Sequence, residues 1–280
     1  MTIVAKALVR FFVFWKFKLG LKGAGLLLRL GAPYLKGLQK FPVRLDEGQI
    51  IYLDLRDYSG MGWLLFKEDS TLCEETGLVS AINSLSDNSS VIWDVGSNCG
   101  IVSYLIAKNA QFESLHFFEP NDFVYKVAVD ALTPFRGVHG HNFALSNSNC
   151  ELELTIPKND TSCATLDACR TARKGVRKTI TCRVGDQLIE SKEVPAPNII
   201  KIDVEGHELD VLNGLSKCIE AHSPVIFFEH ISLTDTEIAD AVPRGYEIFT
   251  LSKDRGDLKK GFDRSYGHNS AFIPSRRRRG

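Results

Sequence analysis

The residues best suited to chemistry lie in two short segments. In the first, Val91-Ile92-Trp93-Asp94-Val95-Gly96-Ser97-Asn98-Cys99-Gly100, an apolar run ends in an acid and a glycine turn, then opens into the helical stretch Ile101 to Lys108. A buried strand feeding such a turn presents backbone N–H groups and the positive end of a helix dipole to a ligand, as nucleotide-type cofactor sites do. Three residues separate Gly96 from Gly100 and no third glycine follows. The G-x-G-x-x-G spacing that lets backbone approach a pyrophosphate is therefore missing. Asp94, ahead of the turn, suits a cationic ligand instead, and S-adenosylmethionine carries both a sulfonium and an ammonium. Further on, Ser114-Leu115-His116-Phe117-Phe118-Glu119-Pro120 reads as a second core strand ending in a carboxylate, which can accept hydrogen bonds from ribose hydroxyls.

The second segment, Asn198-Ile199-Ile200-Lys201-Ile202-Asp203-Val204-Glu205-Gly206-His207-Glu208, is another strand ending in ionisable groups. Ligands of a doubly wound sheet sit beyond the carboxyl ends of its strands, which places Asp203 at the same crevice as Asp94 and Glu119. Pro224 to His230 repeats the arrangement with Glu229 and His230 at its end. Methyl transfer is an in-line displacement at a sulfonium, and an alcohol acceptor must also lose its proton. Asp203, His207 and His230 are the candidate catalytic residues, with Glu205, Glu208 and Glu229 on the substrate side. Glu208 equally suits the N-terminal dipole of the helical run that follows, and Lys201 suits a carboxylate pair. Asp203, Glu229 and one histidine would also make a metal-ligand set, but carboxylates with one imidazole at unknown separation are a weak signal and no metal ligand is expected.

These segments need a scaffold, and the pattern supplies one. Strands are expected at 91–95, 114–119, 138–145, 198–203, 224–229, 246–251 and 269–273, mostly with helices between them, as in an α/β doubly wound sheet. Before them, 41–56 reads as a hairpin and 73–84 as a helix. Between residues 146 and 186 two alternating, half-exposed strands at 151–156 and 179–184 flank a polar loop, Pro157 to Lys178. That loop is too long for a simple connection and is either an active-site cover or mobile. Asp186 reads as the N-cap of the helix that follows it.

The chain has 280 residues, 44% hydrophobic and 24% charged, enough for a sizeable core. Seven cysteines without a C-x-x-C pair argue against a disulfide framework or zinc ribbon and point to a reducing, cytoplasmic setting. The net charge of zero conceals nine Lys or Arg and no acid before Asp46. Residues 1–40 thus form a basic, apolar helical segment whose cations interrupt every apolar run well short of a membrane span. Residues 1–30 are open to peripheral contact with an anionic membrane, to a role as signal peptide, and to packing on the domain. Arg276 to Arg279 read as a solvated end.

Taken together, Trp93 to Gly100, Phe118-Glu119-Pro120, Ala144-Leu145-Ser146 and Lys201-Ile202-Asp203-Val204-Glu205-Gly206-His207-Glu208 resemble the FkbM family of S-adenosylmethionine-dependent methyltransferases. The similarity runs from about Gln49 to Phe249. It implies a class I methyltransferase fold, Rossmann-like with about seven strands and the last antiparallel. The domain would span 41–280, with its core at 85–275, the inserted hairpin and loop at 146–186, and the helical and hairpin extension ahead of it. It also implies O-methylation of a sugar, glycolipid or secondary metabolite, with a small-molecule or saccharide- or lipid-linked hydroxyl as acceptor and no nucleic acid partner. The family's cofactor roles fall on Asp94, Gly96, Asn98 and Gly100 for the methionine part and on Glu119 for the ribose, with Ser97 and Ala144 in the same set. Ser97 and Cys99 depart from the family's usual alanine and aliphatic residue. The rival readings are an RNA or protein methyltransferase, a non-catalytic cofactor-binding module and a nicotinamide-dependent oxidoreductase.

Overall fold

The computed structural model describes Ala7, Phe11 and residues 40–46, 48–55, 57, 59–60, 62–63, 75–157, 161, 164–166, 175–252 and 255–275. Apart from Ala7, Phe11 and Lys40, the expected N-terminal helical segment lies outside the described residues, as does the arginine tail. No helix among the described residues is long and apolar enough to cross a membrane.

Four apolar runs become the central strands β3 (Val91–Val95), β4 (Ser114–Phe118), β9 (Ile199–Ile202) and β10 (Val225–Glu229). Almost every residue in them is buried, as expected for parallel strands covered on both faces. With β5 (Val138–His141), β11 (Tyr246–Leu251), β12 (Leu258–Lys260) and β13 (Asn269–Pro274) they form an eight-stranded sheet in the order β12-β11-β13-β10-β9-β3-β4-β5. β5, β4, β3, β9 and β10 run parallel, and β13 lies antiparallel between β10 and β11. This is the expected class I arrangement with one strand more. β12 is three residues long and pairs only through Thr250 and Leu251, too short to leave a periodic signal.

Helices cover both faces. α1 (Thr76–Leu85) and α2 (Ile101–Asn109) bury Leu78, Ile82 and Ile106 against Ile92, Leu115, Ile199 and Phe227. After α3 (Asp122–Leu132) and α4 (Gly185–Glu190), α5 (Glu208–Asn213) and α6 (Ser216–His222) bury Leu212, Leu215 and Ile219 against Trp93, Ile200, Ile226 and Phe228 on the other face. The last helix is α7 (Asp235–Ala241), opened by a Thr234–Glu237 capping box. The expected hairpin forms as β1 (Phe41–Arg44) and β2 (Ile50–Leu53), which pack Ile51 and Leu53 in one cluster with Val124 and Ala128 of α3.

Two expectations need correction. The strand expected at 138–145 is broken: β5 ends on the central sheet, and β6 (Ala144–Ser146) leaves it for a separate three-stranded sheet. There β6 runs parallel to β8 (Gly175–Val184), whose other neighbour is the antiparallel β7 (Cys150–Pro157). At the break, the Asn142 side chain donates to the Glu119 carbonyl at 2.9 Å. Asp186 caps a different helix from the one it opens, because its carboxylate accepts the Lys217 and Cys218 N–H groups in the first turn of α6, both at 2.9 Å.

Candidate active site

The turn after β3 is built by close approach of two strands. A Cβ on Gly96 would lie 1.8 Å from the Asp203 carbonyl oxygen, and one on Gly100 2.7 Å from Ala128 Cβ. Both glycines have positive φ, 76° and 82°. Their first duty is therefore to let the turn dock on the β9 end and on α3, rather than to make room for a ligand.

Asp94 also differs from its expected role. Its side chain is wholly buried, one oxygen 2.9 Å from Lys201 Nζ and the other accepting the Ser103 hydroxyl at 2.6 Å. Lys201, 3% exposed, donates to the Gly96 carbonyl at 2.8 Å and lies 3.6 Å from Asp203. Burial works against the charged ammonium, but Asp94 and Asp203 outweigh it and hold the Lys201 pKa above its ordinary value. Asp94 thus fixes the turn from behind and offers no free carboxylate to a ligand. The Ser97 hydroxyl in the same turn is buried with no hydrogen-bond partner among the described residues.

Glu119 stands where a ribose-binding acid should. Its oxygens accept Asn98 N–H at 2.9 Å and Asn121 N–H at 2.7 Å, and each keeps a lone pair for a further donor. Burial pushes its carboxyl up to about 7 against those two N–H groups. Glu119 lines a crevice with Gly96, Asn98, Ala144, Asp203, Glu205 and His207, while Phe118, Pro120, Leu145, Leu154 and Leu166 add an apolar wall. Thr161 and Ala164 also line it, so the described residues between β7 and β8 cover one side of the crevice, whereas 175–178, expected in the same loop, belong to β8. Leu154, Thr161 and Leu166 were not singled out in the sequence, because the alternation of β7 shows which residues share a face but not which ligand they face.

On the acceptor side, Asp203, Glu205 and Glu229 bring carboxylate oxygens within 4.8 Å of one another. The oxygen-rich set weighed in the sequence is therefore completed by Glu205 and not by a histidine. Burial, then the charges of Asp203 and Glu205, raise Glu229 to about 9, so it keeps its proton at neutrality. Glu208, expected to meet substrate, is instead fully buried. It accepts Val204 and Gly206 N–H at 3.3 and 3.0 Å and the Ser232 hydroxyl at 3.0 Å, so it holds the turn that carries Glu205.

The two histidines separate. His207 lines the crevice, with one ring nitrogen 2.9 Å from Ser146 Oγ and the other 3.1 Å from Asp210, and burial lowers its pKa despite Asp210. His230 is 1% exposed, 3.0 Å from Ser270 Oγ and edge-on to Phe262, and it does not line the crevice. Burial, then Arg264, lowers His230 to about 4. It is a core histidine, removed from the role of base by the strand β13 that covers it.

Apolar wall, ribose-type acid and an acidic rim fit an adenosyl group bearing a sulfonium. The sheet order and the crevice at its carboxyl edge define a class I, S-adenosylmethionine-dependent methyltransferase. The methyltransferase FkbM domain matches residues 94–258, more than half the chain, and the protein belongs to that family. A hexuronic acid methyltransferase of Haloferax volcanii, AglP, is 29% identical over 187 residues, covering 64% of this chain and 74% of that protein. Among solved structures, the FkbM methyltransferase of Methylobacillus flagellatus KT is 19% identical with a TM-score of 0.46, the match covering 67% of this chain and 44% of that one. A SAM-dependent methyltransferase from Agrobacterium tumefaciens is 9% identical, TM-score 0.43, with 84% and 70% covered.

Proposed function

We propose that the protein transfers a methyl group from S-adenosylmethionine to a hydroxyl oxygen of a saccharide, with uronic acids and their conjugates as the first acceptors to test. The observation that carries this reading is the crevice with Glu119 at one end and Asp203 and Glu205 at the other, where Glu229 brings a third carboxyl within 4.8 Å of that pair. The similarity to a hexuronic acid methyltransferase supports the acceptor class.

S-adenosylmethionine supplies an activated methyl group on a cationic sulfur. Glu119 holds the ribose hydroxyls, Asn98, Gly96 and Ala144 shape the seat, and the acidic rim favours the positive end. Asp203 takes the acceptor proton, since it lines the crevice with its side chain 31% exposed and lies beside a carboxyl that already holds a proton. Glu205 and Glu229 orient the acceptor hydroxyls, and His207 closes the far wall. The reaction takes place in the cytoplasm, with residues 1–30 touching an anionic membrane surface, a role that the nine cations before Asp46 support.

Calorimetry with S-adenosylmethionine and NAD, followed by methyl transfer to a panel of hexuronic acids, neutral sugars and hydroxylated lipids, tests the assignment. Binding of S-adenosylmethionine and methylation of the sugars are expected. NAD binding alone, or transfer to none of the panel, overturns it. Flotation on anionic liposomes that is the same with and without residues 1–30 removes the membrane part.

A further inference from the structure

Asp57 lies ahead of the core, just past β2, and does not line the crevice. It is nevertheless 7% exposed, and its carboxylate is spent on the loop that covers the crevice. Oδ1 accepts the Thr161 hydroxyl at 2.6 Å and the Ser59 N–H at 2.9 Å, and Oδ2 accepts the Thr161 N–H at 3.0 Å. Thr161 thus gives both its donors to one buried charge from a residue 104 positions away. With the Thr161 proton committed to Asp57, the Ser59 hydroxyl, 2.8 Å from Thr161 Oγ1, gives its proton to the Asn98 side-chain oxygen at 3.2 Å.

Asn98 is the residue whose N–H meets Glu119, and it sits at positive φ, 51°. The chain from Asp57 through Ser59 therefore reaches the cofactor turn and the cover at once. The other end of the cover is tied independently. Thr165 Oγ1 donates to the Glu205 carbonyl at 2.6 Å, and its backbone exchanges two 3.0 Å bonds with Thr155.

We propose that Asp57 is a positioning residue for the cofactor crevice, holding Thr161 and, through Ser59, Asn98 in place so that the cover lies across the bound cofactor. The inference rests on the S-adenosylmethionine reading. Because bonds to a charged acceptor are about twice as strong as neutral ones, the carboxylate is the member whose loss frees the cover.

The test uses the full-length chain with Thr161→Val, Asp57→Asn and the double variant, and measures S-adenosylmethionine binding, its dissociation rate and the melting temperature without cofactor. Thr161→Val keeps the shape of the side chain, so it reports even where Asp57→Asn folds poorly. Each single variant is expected to weaken binding about tenfold, mostly through faster dissociation, and the double variant to be no weaker than the worse single one. In steady-state kinetics KM for the cofactor rises by the same factor. Wild-type affinity in Thr161→Val, or losses that add in the double variant and track only a lower melting temperature, overturn the inference and leave the cofactor reading standing. Failure of the unaltered protein to bind S-adenosylmethionine overturns the cofactor reading and the inference with it.

Discussion

The two halves of the crevice handle charge in opposite ways. Behind the cofactor turn, Asp94, Lys201 and the Ser103 hydroxyl form a buried set in which opposite charges meet at 2.9 Å. On the acceptor side three carboxyl groups converge, and burial first, then the charges of its acidic neighbours, favour the protonated form of Glu229. The first arrangement fixes a backbone and is inert. The second holds a movable proton next to the solvent-reachable Asp203, the property a proton-transfer site needs.

The sharpest way to break this contrast is to remove the cation from the inert half. Lys201→Met leaves Asp94 charged and buried, and should cost about 3–5 kcal/mol of stability. Urea unfolding that shows less than about 1 kcal/mol would mean that the pair does not hold the turn. On the acceptor side, Asp203→Asn should lower kcat by about 10²–10⁴ with cofactor affinity intact, while His230→Asn should alter stability and leave kcat alone. The reverse ranking in steady-state kinetics would return the role of base to the histidine. Between the halves, Glu119→Ala should weaken S-adenosylmethionine by about 1.5–3 kcal/mol, or ten- to hundredfold, in calorimetry. Unchanged affinity would displace the ribose site.

The two regions also differ in the pH dependence of stability, where their effects have opposite signs. His116, stacked with His139 and His141, is driven down to about 3 and His141 to about 4, in each case by burial first and neighbouring imidazoles next. The unfolded chain binds these protons first, so their contribution is complete above the ordinary value of 6.5 and is lost as pH falls toward 4 and 3. Glu229, raised from 4.5 to about 9, binds its proton more tightly when folded, so its contribution is complete below 4.5 and is lost as pH rises through 9. Glu229→Gln should flatten the alkaline slope only, and His116→Asn the acid slope only. Urea midpoints across pH that move together in both variants would show that the two regions are not electrically separate.

The sequence legibly specified the parallel core, because strands buried on both faces must be mostly apolar, and β3, β4, β9 and β10 are, with Asp94, His116, Lys201 and Glu229 the ionisable residue in each. Glu119 and the acids after β9 were legible for a related reason, since polar groups directly after such runs fall on the carboxyl edge of the sheet. The hairpin was readable from the alternation around its turn. Which acids would face a ligand was decided by tertiary structure. Asp94 and Glu119 both lie at strand ends, yet Lys201 and Ser103 close over one while the other keeps open lone pairs. His230 lost its role because β13, forty positions downstream at Ser270, pairs beside it. Asp57 and Thr161 gained theirs because two loops 104 residues apart meet over the crevice. Local pattern records whether a side chain is buried or exposed, but the partner that a buried charge finds depends on contacts across the sheet that no window of sequence contains.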